Sequence, residues 1–222
     1  MPFDPPDRSP ETPNEWGILV ILSFFFALFL LVEIARDFEV PKLAAPFFLL
    51  SWIPLLVLHE FGHAFAARLL GWRVDRVCIG SGRTRLERRL FGMRVEFRTL
   101  PLSGFVSPRP VDLRHPRLKQ CLVYAAGPGA ELLAVALAVL LVGSETLLSR
   151  SFQPGIVAVQ SFCVAALLGA ALNLLPLTHR VEGGRAWSDG LGMILCWRIT
   201  DDEFRRLRDG TRPPSPSHGL SP

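Results

Sequence analysis

Two histidines four residues apart, with a glutamate directly after the first, lie inside the apolar run Leu55–Ala67 as His59-Glu60-Phe61-Gly62-His63. On a helix, positions i and i+4 share one face, so both imidazoles can grip one divalent ion while Glu60 stands beside it. That is the pattern of a zinc hydrolase. Zn2+ would polarise a carbonyl and lower the pKa of a bound water, and the glutamate would take that water's proton and return it to the leaving amine. Ionisable groups at membrane depth are costly and usually face a bundle interior or a cavity with a partner, so a bound cation gives them a physical reason to be there.

Two histidines are too few, because a catalytic zinc site keeps three protein ligands and one open position. The candidates for the third are Asp189, Glu182, Glu131 and His179. Asp189 stands first: a short carboxylate followed by Gly190, opening a short apolar segment, can be aimed into a bundle by that turn. Glu182 is the alternative, since Gly183 and Gly184 allow a similar turn. Glu131 is a further carboxylate inside an apolar window, where facing the site and bonding to a neighbouring helix are both open to it.

The elements that must position these groups are membrane elements. Half of the 222 residues are hydrophobic and the mean hydropathy is +0.33, which suits one compact membrane domain better than a water-soluble enzyme. Trp16–Val32, Cys121–Val142 and Gly155–Leu175 approach the roughly 20 residues a helix needs to cross a bilayer, and Leu43–Leu70 is a fourth window, interrupted by Pro46, Pro54 and the motif itself. The first window reads as a retained anchor, because its leading flank carries Asp4, Asp7, Glu11 and Glu15 and no small-residue cleavage site follows. If the second helix enters at Leu43, His59 lies roughly 24 Å further along at 1.5 Å per residue, inside a core of about 30 Å and within the cytoplasmic leaflet.

In this four-span arrangement all but Arg36, Lys42 and Arg150 of the 24 Lys and Arg fall on one side. By the positive-inside rule both termini are expected in the cytoplasm, across what reads as a bacterial plasma membrane. Residues 71–120 form a basic cytoplasmic loop whose alternating segments Val74–Ile79 and Arg94–Arg98 predict a β-hairpin, and whose charge would rest on anionic lipid headgroups. No nucleic-acid motif accompanies that charge. Leu100–Val106 is apolar but too short to span, which predicts a re-entrant piece lining a cavity. The four cysteines form no Cys-x-x-Cys pair and read as core filler. Residues 1–15 and 201–222 read as largely disordered tails around a membrane-embedded unit over 16–200.

In order and spacing, His59-Glu-Phe-Gly-His63, Leu100-Pro-Leu-Ser-Gly-Phe-Val106, Ala126-Gly-Pro128, and Asn173-Leu-Leu-Pro176 followed by Asp189-Gly190 resemble the site-2 protease family of intramembrane zinc metallopeptidases. The likeness covers roughly residues 43–195. It implies an all-α polytopic fold of about four transmembrane helices, with a short re-entrant or interfacial C-terminal helix and a small β-hairpin or re-entrant β segment between the second and third. It implies zinc on His59, His63 and Asp189, Glu60 as base, and Asn173 orienting substrate or stabilising the oxyanion. Ser103, Gly104 and Phe105 would bind an unwound transmembrane helix of a substrate protein by strand addition.

Two departures stand out. The Asp-Gly pair lies further from Pro176 than in many members, and a shorter register would make Glu182 the ligand. Glu131 replaces an asparagine that often follows the Gly-Pro pair. With no peptide-binding insertion over 71–120, substrate choice would fall to the membrane core or to a regulatory membrane partner. A catalytically silent scaffold that binds transmembrane helices is the alternative function.

Overall fold

The computed structural model describes residues 13–181 and 184–210. Helix α1 (Pro13–Arg36) occupies the first apolar window and exposes Phe25, Phe29 and Leu31. A single 3-10 turn (Val40–Leu43) leads into α2 (Ala44–Leu69), which carries the His-Glu motif. Strands β1 (Arg73–Leu90) and β2 (Met93–Arg109) follow, then α3 (Pro116–Val142), the short α4 (Ser144–Leu148) and α5 (Pro154–Leu174). Hairpin β3 (Thr178–Val181) and β4 (Gly184–Trp187) precedes α6 (Asp189–Leu195), and α7 (Asp201–Asp209) ends the described chain.

Among the described residues, three helical segments are long and apolar enough to cross a membrane: Val40–Leu69, α3 and α5. They pack against one another with small or polar residues inward, such as Ser51, Ala165, Ala166 and Ala170, and with Leu133, Leu137, Leu140 and Leu168 outward. Lipid offers apolar side chains as good an environment as a protein interior does, so close backbone approach rather than burial of large hydrophobes holds such helices together. Ser51 and Ser161 satisfy their buried hydroxyls by donating to the carbonyls one turn back, Phe47 and Val157, each at 2.7 Å. Pro54 and Pro128 sit inside α2 and α3 without ending them.

The expected hairpin is larger than its alternating segments suggest. β1 and β2 pair antiparallel, and β1 bends at Gly80 and Gly82, whose φ values of 98° and 81° favour glycine. As a result Arg76–Ile79 is flanked on both sides, and Val77 has Val106 as one neighbour and Val95 as the other. The sheet packs on the C-terminal end of α2, where Ala64, Ala67, Trp72, Val77, Ile79, Met93 and Val95 form a core with Phe204 of α7.

The β segment expected at Leu100–Val106 is found as part of strand β2, paired to β1, and two other expectations change. The β structure is more extensive than a small hairpin in an all-α fold, because β3 and β4 add a second antiparallel ladder. Residues 201–209 are helical where a disordered tail was expected: the Thr200 side chain caps the Glu203 backbone, the Glu203 carboxylate caps Thr200 in return, and Phe204 is fully buried. Residues 1–12 and 211–222, the remainder of the expected tails, lie outside the described residues.

Candidate metal centre

Three elements distant in sequence meet at the C-terminal half of α2. His59 and His63 lie one turn apart with their Nε2 atoms 3.1 Å from each other. Asp189 arrives at the first turn of α6, placing Oδ2 at 3.0 Å from His59 Nε2 and Oδ1 at 3.3 Å from His63 Nε2. All three are buried or nearly so, and together they form a group able to hold a metal ion. The donor set fits zinc. Bonds of about 2.0–2.1 Å arranged tetrahedrally put neighbouring ligand atoms about 3.3 Å apart, close to the separations seen here.

The local sequence explains why Asp189 is free for this task. Capping of α6 falls to Ser188, whose Oγ accepts from the Leu191 backbone at 3.3 Å and from the Leu177 backbone at 3.0 Å. The same hydroxyl donates to the Leu175 carbonyl, pinning the start of α6 to the end of α5. Each oxygen of the Asp189 carboxylate thus faces an imidazole nitrogen, and a carboxylate ligates a metal ion in its ionised form.

Both imidazoles have an acceptor on the far side of the ring. His63 Nδ1 lies 2.6 Å from the Val123 carbonyl of α3, and His59 Nδ1 lies 3.3 Å from Glu131 Oε1, also on α3. Pro128 has no N–H to return to the carbonyl of Tyr124. Gly127 is needed here for its missing side chain, because a Cβ would run into His63 Nε2 and stand 2.7 Å from His59 Nε2.

Glu60 is buried, and β2 meets it at Gly104, where a Cβ would overlap its carboxylate. Strand β2 therefore passes directly beside this carboxyl. Phe105 lies under two guanidinium groups, with Arg76 at 5.3 Å and Arg98 at 5.7 Å from the ring centre, while Ser103 is exposed. The Asn173 amide donates to the Gly169 carbonyl of its own helix at 3.1 Å. Glu182 lies outside the described residues, as does the side chain of His179. All four cysteines are free thiols.

The sequence reading missed Ser188, Val123 and Gly127. Ser188 was legible as the cap of an Asp-Gly segment. The Val123 carbonyl carries no side-chain signal at all, and Gly127 reads equally well as a helix-packing residue.

A family model described as peptidase family M50 matches residues 47–167. Three bacterial relatives carry provisional names as zinc metalloproteases. The one from Campylobacter jejuni is 31% identical over 121 residues, 48% of this chain and 33% of its own length. Those from Neisseria meningitidis and Synechocystis are each 33% identical, over 141 and 143 residues, covering 55% and 58% of this chain and 30% and 38% of their own lengths. The chain thus spans about a third of each relative.

Proposed function

The chain belongs to peptidase family M50, the site-2 protease family, and from that membership we propose that it is an intramembrane zinc metalloendopeptidase, hydrolysing a peptide bond within or near a transmembrane helix of a substrate protein. The observation that carries this reading is the meeting of Asp189 with the paired imidazoles of α2. His59, His63 and Asp189 would hold Zn2+, which when bound supplies Lewis-acid polarisation of the scissile carbonyl and of water.

Glu60, one residue from a ligand and buried, is placed to accept the proton from that water and to deliver it to the departing amine nitrogen. Among the described residues Gly104–Val106 has partners on one side only, Ile79, Cys78 and Val77. Its other edge can pair with an extended segment of substrate, and the face of the strand at Gly104 lies against Glu60. A transmembrane helix satisfies its own backbone hydrogen bonds, so the substrate must unwind locally before a carbonyl can enter, and strand pairing replaces part of what is lost. Ser103, Gly104 and Phe105 form that binding segment. Asn173, its amide on the Gly169 carbonyl, is assigned to orienting substrate or stabilising the oxyanion once released from that bond.

The chain is an integral membrane protein. We assign α1 as a fourth crossing helix, residues 16–200 as the membrane unit, a bacterial plasma membrane as its location and the cytoplasm to both termini. A regulatory membrane partner would supply the substrate selection that the short 71–120 segment does not. A silent scaffold would have no use for a buried ligand set, so the intact constellation favours activity.

The test is cleavage of a reconstituted transmembrane substrate in proteoliposomes by wild type and Glu60→Gln, with zinc measured on both. Cleavage by wild type and none by a zinc-loaded Glu60→Gln variant is expected; equal cleavage by both would remove Glu60 from the reaction.

A further inference from the structure

The chemistry above leaves one carboxylate of the same interior without a task. Glu131 of α3 is 4% exposed. Its Oε1 lies 3.3 Å from His59 Nδ1, its one ion-pair partner among the described residues, and Oε2 has no hydrogen-bond partner. Gly169 of α5 closes over the group so tightly that a Cβ there would stand 3.3 Å from Oε1 and 3.4 Å from Oε2. Burying a carboxylate with one oxygen unsatisfied costs stability. A purely structural residue at this position would be better made apolar.

We infer that Glu131 is a positioning residue for the metal ion: its carboxylate receives the Nδ1–H of His59 and so fixes the ring orientation and tautomer that turn Nε2 toward Asp189 and His63. The contact is within ion-pair range without hydrogen-bond alignment, and closure of that bond is part of the inference. His63 is oriented in the same way by a neutral acceptor, the Val123 carbonyl. The two ligands are therefore supported unequally. An anionic acceptor raises the basicity of the ligating imidazole more than a carbonyl does, and outer partners of this kind are worth about 10–100-fold in metal affinity. That makes His59 the stronger donor of the pair. Gly169 fits the same account: a helix face lacking a side chain leaves room for the carboxylate and for nothing larger.

The inference rests on the zinc reading, and its test separates the two. Purified full-length wild type, Glu131→Gln and Glu131→Leu are stripped with a chelator. Each is titrated with Zn2+ against a chromophoric competitor and with Co2+ followed by visible absorption, and the melting temperature of each metal-free protein is recorded. Glu131→Leu should bind Zn2+ about 10–100-fold more weakly and give an altered Co2+ spectrum, while its metal-free form melts no lower than wild type. Glu131→Gln keeps an oxygen that can accept from Nδ1 and should lose less than about tenfold. Wild-type affinity and spectrum in Glu131→Leu would overturn the inference and leave the zinc reading intact. Weaker binding that only tracks a lower metal-free melting temperature in both variants would overturn it too, by making Glu131 a packing residue. Wild type that takes up no zinc would overturn the zinc reading and this inference together.

Discussion

Two clusters of buried charge stand on one frame and are built in opposite ways. In the sheet, Glu96 is 3% exposed and ringed by guanidinium groups: Arg76 at 2.6 Å, Arg94 at 3.3 Å and Arg98 at 3.6 Å. In the bundle, Glu60, Glu131 and Asp189 face two imidazoles, with no Lys or Arg in ion-pair range among the described residues. In the first cluster the chain's own cations more than offset the buried anion. The second is short of positive charge, and a divalent cation between His59, His63 and Asp189 would make up most of the deficit. A buried anion ringed by arginines reads as architecture; one left facing neutral imidazoles reads as a site.

The surrounding packing differs in the same sense. The sheet hides Val77, Ile79, Met93, Val95 and Phe204 as a water-exposed domain does, whereas the bundle turns its large hydrophobes outward and keeps its interior for small and ionisable groups. An interior relieved of the hydrophobic task can be given over to chemistry.

This contrast can be broken at several points. The largest effect is expected at Glu60: Glu60→Gln should lower cleavage of a reconstituted substrate by about 10³-fold while keeping its zinc, whereas Glu96→Gln should leave turnover per folded molecule near wild type. Gly127→Ala drives a methyl group into both imidazoles and should weaken zinc affinity by about 10–100-fold, read by chelator competition. Glu96→Leu leaves clustered arginines without their anion. Removing one partner of a fully buried pair costs about 3–5 kcal/mol; with Arg94 54% exposed to solvent, about 2 kcal/mol is expected, measured by denaturation in micelles, with zinc content unchanged.

Glu96 also sets a pH signature. Burial by itself would raise its carboxyl, but the hydrogen bond from Arg76 and the neighbouring arginines outweigh it and hold it below the ordinary carboxylate range. A depressed folded-state pKa means the stabilisation is full above the unfolded value and is lost as pH falls through the folded one. Acid melting curves of wild type should therefore fall below about pH 4 more steeply than those of Glu96→Gln. The smallest effect belongs to the exposed pair of Asp75 and Arg109, where Asp75→Asn should change stability by less than about 1 kcal/mol.

The histidine half of the candidate site was legible because His59 and His63 sit at helical spacing in an apolar run, a local signal that survives folding. The approach of Asp189 to the imidazoles was legible only as one of four candidates, since it depends on the pinning of Ser188 to Leu175, a contact between segments. The outer half of the sheet was harder to see. Residues 83–89 are mostly arginine and polar residues, and only their pairing with Met93–Arg98 makes them a strand. The capping box Thr200-x-x-Glu203 was present in the sequence, but the polar composition around it pointed to a tail. The β3–β4 ladder had no period-2 hydrophobic pattern to announce it.

The central claim is that α2 and the first turn of α6 close on one zinc ion. Metal analysis of purified wild type beside Asp189→Ala and Glu96→Gln tests it most directly. The account predicts about one zinc per chain in wild type and in Glu96→Gln, and a sharp loss in Asp189→Ala. Zinc-free wild type, or full occupancy in Asp189→Ala, would contradict it.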